Sequence, residues 1–207
     1  MTTQLTQSPL KAALILGGLS MIGLGLVTGV FHLTQKTILA NQQAARLALL
    51  QQLLTNTVYD NNLLKHRVSI PLYDSKLLQL YYRIYHQQKP VAVIMPITTM
   101  AGYNGEIELL IAIKYNGELI GVRVVKHRET PGLGDKIELS KSLWILQFNQ
   151  RSLLSPPIFQ WTVKRQQGQF DQLSGATITS RAVIDTVKQG LIRYQLQQKQ
   201  IWQFAYK

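Results

Sequence analysis

Four residues with almost no side-chain bulk, Ser174-Gly175-Ala176-Thr177, stand just before a stretch in which Val183, Val187, Leu191 and Tyr194 recur at helical spacing. A helix start needs one capping oxygen, which Thr179 or Ser180 can supply for a helix running to about Lys199. The open patch upstream exceeds what capping requires. It leaves the Ser174 and Thr177 hydroxyls open beside a helix end, where N–H groups and the dipole favour an anion. Some forty residues earlier, Glu129-Thr130-Pro131-Gly132-Leu133-Gly134-Asp135 breaks the surrounding pattern with glycine and proline. Taken alone, this loop is either a plain sheet-to-helix connection or a wall where Gly132 and Gly134 let the backbone come close to a flat ligand.

Other chemistries find no support. The chain has no cysteine, which removes disulfides, thiolate catalysis and cysteine-ligated metals. His32, His66, His86 and His127 are scattered, no H-E-x-x-H occurs, and a metal site is not expected. His127, near the loop, reads as structural. There is no dinucleotide fingerprint and no convincing acid–base pair.

The elements that must position the patch follow from periodicity. Leu77 to His86 and Val91 to Ile97 read as strands around Gln87-Gln88-Lys89-Pro90, a turn. Glu106 to Tyr115 and Glu118 to Lys126 flank Asn116-Gly117, which suits a type I′ hairpin. Ile107, Leu109, Ile111 and Ile113 alternate with Glu108, Leu110 and Ala112, so one face is consistently apolar. Ile137 to Phe148 is expected as helix and Phe159 to Val163 as a short strand, while Asn56 to Lys65 is polar and turn-prone. The fold class is α+β, with a mainly antiparallel sheet and packed helices.

Ala12 to Phe31 runs for twenty positions without a charge. As helix this spans roughly 30 Å, the hydrocarbon thickness of a bilayer. A cleaved leader is the rival reading, but the run is long for one and no clear A-x-A site follows Phe31. A single transmembrane helix is therefore expected. Gly17, Gly25 and Gly29 share a face, either for a close partner helix or simply in lipid. Thr34 to Leu54, with Leu39, Leu47, Leu50 and Leu54 at helical spacing, reads as a helix leaving the membrane and packing on the domain. The expected division is a tail over 1–11, the span over 12–31, a connector over 32–56 and one domain over 57–207. Lys11 before the span, against Lys36 and Arg46 after it, does not place the large C-terminal part outside the cytoplasm.

The net charge is +12, and Arg151 to Lys207 carries eight basic against two acidic residues. That surplus is a solvated surface or an attraction to anionic lipid or an acidic protein face. No nucleic-acid motif is present, and nucleic acid is not an expected partner.

Ser174-Gly175-Ala176-Thr177, preceded by Asp171, resembles the covalent attachment motif of FMN-binding domains. Gly102-Tyr103-Asn104-Gly105 and Glu129 to Lys136 resemble their other fixed stretches, in the right order. Over most of its length the chain is similar to the RnfG (RsxG) family of Rnf electron-transport complexes, with NqrC of the sodium-pumping NADH:quinone reductase more distant. One departure is Gln172 after Asp171, where many such motifs have glycine.

The resemblance implies FMN joined through its phosphate to Thr177, installed from FAD by the flavin transferase ApbE, with Asp171 helping that transferase. It also implies the other Rnf membrane subunits as partners, and a domain on the periplasmic face of the inner membrane. The expected role is an electron-relaying subunit of an ion-translocating ferredoxin:NAD oxidoreductase rather than a complete enzyme. The small side chains at 174, 175 and 176 would then keep the acceptor hydroxyl open, with Ser174 bonding the phosphate or merely stabilising the turn. Glu129, Thr130, Gly132, Leu133 and Gly134 would line the flavin. Lys136 would offset the charge of reduced flavin or stay solvated, Arg181 would add charge or face solvent, and Tyr103 would line the pocket or join the core. The rivals are a stand-alone flavin reductase and a basic, cofactor-free interaction module.

Overall fold

The computed structural model describes residues 9–55, 57–71 and 78–203. Two compact units divide the chain, Met1–Arg46 and Leu47–Lys207. With residue 56 outside the described residues, one helix, α1 (Pro9–Leu53), covers the stretch expected as span and most of the expected connector, ending one residue short of Leu54. Proline suits its first position, where the missing N–H costs no intrahelical bond. Its apolar part is long and apolar enough to cross a membrane, and none of that window is buried within the protein. Residues 1–8 of the expected tail lie outside the described residues.

The second unit is built on a five-stranded antiparallel sheet: β1 (Arg67–Pro71), β2 (Leu78–His86), β3 (Lys89–Gly102), β4 (Gly105–Lys114) and β5 (Leu119–His127), each strand beside its successor. Leu77, expected to open β2, lies outside the described residues. A long helix, α2 (Thr177–Gln203), follows an irregular stretch carrying four 3₁₀ turns.

Both faces of the sheet are buried. On one, Ile107, Leu109, Ile111 and Ile113 pack with Val183, Val187, Leu191 and Tyr194 of α2 and with Phe148, Trp161 and Phe170. On the other, Tyr82, Ile84, Ile94, Leu110 and Ala112 pack under Leu50, Leu53, Leu54 and Leu63. The apolar Leu110 and Ala112, alternating with the first set, are the sequence signal of this second face.

The type I′ turn expected at Asn116-Gly117 stands instead at the other hairpin, where the loop is Gln87-Gln88 alone and Lys89 and Pro90 already belong to β3. His86 pairs with Lys89 across a two-residue loop in which Gln87 (φ 50°) and Gln88 (φ 61°) are both left-handed, which is the type I′ arrangement. At Asn116-Gly117 only Gly117 has positive φ, at 90°. Gly117 N–H donates to Lys114 O at 2.9 Å and Lys114 N–H to Glu118 O at 2.8 Å. The loop therefore holds three residues, a turn closed by a glycine bulge, and the ladder shifts register after Ala112.

Other expectations are corrected. Residues 137–148 form no continuous helix but two 3₁₀ turns, Gly134–Ile137 and Leu143–Phe148. The Ser142 hydroxyl accepts from Trp144 N–H and starts the second turn afresh. Phe159 to Val163 is not a strand. Ile158–Gln160 is a 3₁₀ turn, and Val163 makes a single bridge to Phe170. Pro156 and Pro157 just before it supply no N–H for a ladder. Finally, α2 begins at Thr177, earlier than the expected caps, and extends beyond Lys199 to Gln203.

α2 sits close on the sheet at Gly190. A Cβ there would lie 2.3 Å from Ile111 Cδ1 and 2.9 Å from Ile97 Cδ1, both side chains being buried. Gly190→Val is expected to lower unfolding free energy by about 3 kcal/mol, the upper end of overpacking costs, as read by urea denaturation.

Candidate functional site

Three segments meet at one cavity of about 490 Å3: the β3–β4 turn through Tyr103, the loop after β5 through Glu129, Thr130, Leu133 and Gly134, and the start of α2 through Gly175 to Thr179. Its volume falls within the usual range for small-molecule sites. Tyr103 (65% exposed), Leu133 (43%) and Ile178 (45%) form an apolar lip. Tyr103 thus belongs to the cavity and not to the core.

A buried carboxylate ties the three segments together. Glu129 is 4% exposed. Its Oε1 accepts from Asn104 N–H at 3.1 Å, its Oε2 accepts a short bond from the Thr179 hydroxyl, and its own N–H donates to His127 Nδ1 at 3.0 Å. Gly134 passes so close that a Cβ would stand 2.9 Å from the Glu129 carboxylate. The Asn104 amide adds a bond to Thr130 Oγ1 at 3.3 Å. Glu129 is thereby the brace of the cavity wall. Its partners Asn104 and Thr179 carry no sequence signal of that role. The loop N–H groups of Leu133, Gly134 and Asp135 turn onto Thr130 O, at 3.2, 3.1 and 3.4 Å.

The hydroxyls at the start of α2 are not equivalent. Thr179 is held by Glu129. Ser180 Oγ accepts from Leu173 N–H and donates to Ala176 O, both at 2.9 Å. Among the described residues, the Thr177 hydroxyl makes no hydrogen bond, and it lines the cavity half-buried. Upstream, Gly175 takes φ +75°, a conformation that disfavours any side chain, and a Cβ there would stand 3.0 Å from Leu133 Cδ2. The turn is therefore open on the Thr177 side and closed against the loop.

The remaining expected residues spread outward. Ala176 is buried, Ser174 is exposed, and Gly132 (φ +79°) and Lys136 lie exposed on the loop. Asp171 is exposed, with its carboxylate 2.7 Å from Lys164 Nζ. Its backbone is clamped from the Leu143–Phe148 turn: Trp144 Nε1–H donates to Asp171 O at 2.7 Å, and Asp171 N–H donates to Gln147 Oε1 at 2.7 Å. Arg181 lines a separate groove of about 510 Å3 between α2 and β3 that meets the cavity at Ile178.

His127 is structural in this arrangement. Its Nδ1 accepts from Glu129 N–H, so the ring proton sits on Nε2 and donates to Glu138 Oε1 at 2.7 Å. That bond, with one from Ser140, holds the Glu138 carboxyl below its ordinary 4.5. A depressed carboxyl pKa stabilises the fold above the unfolded value, and the gain disappears as pH falls through the folded one. Glu138→Gln is therefore expected to lower the melting temperature at pH 7, with the gap to the wild type closing in melts taken well below pH 4.5.

The cavity fits a flavin mononucleotide on three counts. A free hydroxyl stands at a helix N-terminus, where a phosphate is favoured. An apolar lip suits the face of a ring. The buried carboxylate in the wall, Glu129, turns its oxygens to Asn104 N–H and the Thr179 hydroxyl, so it is spent on bracing the wall rather than left as a free acceptor in the cavity.

The FMN-binding domain family matches residues 102–192, a range containing every segment of the cavity. The RnfG N-terminal region matches residues 1–53. A Pseudomonas aeruginosa protein, named as the G component of an ion-translocating oxidoreductase complex, is 43% identical over 191 residues, covering 89% of this chain and 88% of its own. Proteins of the same name from Pseudoalteromonas atlantica (39% identical, 93% and 91% covered) and Vibrio cholerae (37%, 92% and 92%) align over similar lengths.

Proposed function

Because this chain belongs to the family of G components of ion-translocating oxidoreductase complexes, we propose that it is an electron-transport flavoprotein subunit whose FMN is esterified to Thr177. The observation that carries the attachment is the hydroxyl census at the start of α2. Thr179 and Ser180 are consumed by internal hydrogen bonds, whereas Thr177 is free and faces the cavity. A flavin transferase of the ApbE type would esterify the Thr177 oxygen with the flavin phosphate of FAD, with loss of AMP and of the hydroxyl proton. Asp171, exposed and with its backbone clamped, is the recognition point for that enzyme.

Bound FMN supplies one- and two-electron redox chemistry. The residues of this chain supply position. The N-terminus of α2 favours the phosphodiester, Ser174 and Gly175 keep its approach clear, and Glu129 fixes the loop. Thr130, Leu133 and Gly134 form the ring-side wall, with Gly132 and Lys136 on the loop outside it. A tethered cofactor at an open cavity suits a relay between neighbouring subunits better than turnover of a free substrate. The apolar length of α1 is the membrane anchor. By family resemblance, the domain stands on the periplasmic side of the inner membrane and works with the other Rnf subunits.

The test is peptide mass spectrometry of the full chain from cells that contain the transferase. The peptide carrying Thr177 is expected at the mass of its FMN ester. An unmodified peptide from such cells removes the proposal.

A further inference from the structure

A buried cation on β5 has no counter-ion among the described residues. Arg123 is 8% exposed. Its Nε donates to Gln52 Oε1 at 3.2 Å and Nη1 to Val122 O at 2.7 Å, which leaves part of its five-donor guanidinium unused. It takes part in none of the ion pairs of the described residues. Burial without an opposing charge lowers its pKa from the ordinary value. An unpaired buried charge is costly, so one kept in a fold is a place where a compensating charge can be received.

Arg123 lines a surface cavity of about 630 Å3, separate from the flavin site. Leu53, Leu119, Leu139 and Leu146 form its apolar lining, and Leu143, 73% exposed, stands at it unburied. The acid in the same wall, Glu118, is already held by Lys114 at 2.5 Å.

We propose that this cavity docks another subunit of the ion-translocating complex, which inserts a carboxylate side chain with an apolar neighbour against Arg123 and Leu143. Three features favour a protein over a small anion. The wall mixes leucines with polar side chains, and of its charged groups Lys114 and Glu118 satisfy each other while Arg123 has no such partner, which resembles an interface with one ion pair left to complete. The exposed Leu143 offers area that a lone anion would leave wet. The chain's net charge of +12 complements an acidic partner face. The proposal rests on the chain acting in a multi-subunit complex, and it is independent of where the flavin is attached.

The test uses the full chain in its native membrane complex, followed on native gels, with in-gel flavin fluorescence read from the same samples. Arg123→Gln is expected to reduce the fraction of chain migrating with the complex at least about tenfold, Arg123→Lys to restore part of it, and both to keep wild-type flavin fluorescence. Leu143→Asp, at an exposed position that need not disturb folding, is expected to reduce it as well. Association at wild-type levels in Arg123→Gln or in Leu143→Asp overturns the proposal. So does association at wild-type levels combined with Arg123-dependent binding of the isolated chain to vesicles containing an anionic phospholipid, which would assign the cavity to lipid. Loss of fluorescence in the wild-type chain would count against the flavin reading alone.

Discussion

Thr177→Ala should yield a folded chain without covalent flavin: no fluorescent band on a denaturing gel after co-expression with the transferase, and a melting temperature close to that of the unflavinylated wild type. The expectation follows from the site's division of labour. The Thr177 hydroxyl makes no internal hydrogen bond among the described residues, so removing it leaves no orphaned partner and no buried hole. Alanine is also a good helix former at a half-exposed first turn. The controls run the other way. Ser180→Ala strips an acceptor from the buried Leu173 N–H and should cost about 1–3 kcal/mol of stability while leaving Thr177 competent. A fluorescent band in Thr177→Ala, or its disappearance in a folded Ser180→Ala, would move the attachment to another hydroxyl.

Glu129→Ala should be the most damaging single change at the site. Truncation leaves Asn104 N–H and the Thr179 hydroxyl without an acceptor in a region only 4% exposed at residue 129. The orphaned buried Thr179 hydroxyl costs about 1–3 kcal/mol, the part-buried Asn104 N–H less, and the void adds to it. Because the same carboxylate joins the β3–β4 turn, the loop and α2, the cavity walls should lose their mutual placement together with the stability. Flavin loading at limiting transferase should fall with it. Glu129→Gln keeps the size and one acceptor and is expected to lose markedly less on both readings. Melts and in-gel fluorescence of the two variants side by side decide this. Equal behaviour of Ala and Gln would show that hydrogen bonding at 129 is not what holds the walls.

How much of this was legible beforehand depends on the kind of information involved. Alternating apolar residues in β4 and the helical stripe through Val183, Val187, Leu191 and Tyr194 report burial directly, and the sheet and α2 follow from them. Glycine and proline between residues 129 and 135 mark the loop, because backbone freedom leaves a compositional trace. The loop and the motif at 174–177 do converge on one cavity.

What stayed hidden is set by tertiary partners. The motif marks Thr177 as the open hydroxyl, but what engages Thr179, read locally as a cap, is a carboxylate fifty residues away in sequence. The role of Glu129 as a brace, the clamp of Trp144 and Gln147 on Asp171, and the buried setting of Arg123 are all long-range facts of the same kind. The hairpins show a milder version. Asn116-Gly117 is the stronger type I′ signal, yet a bulge absorbs it, while two glutamines take the left-handed turn. Loop length outranked residue preference there.

The last turns of α1 carry one more implication. Leu50 and Leu53, with Leu54 just beyond the helix, are core residues of the sheet's second face, so a cut that removes the whole helix at the first strand passes through a hydrophobic interior. A water-soluble version of this protein trimmed there would expose Tyr82, Ile84 and Leu110 along an open sheet and invite self-association. Retaining the chain from Leu47 onward keeps that side roofed.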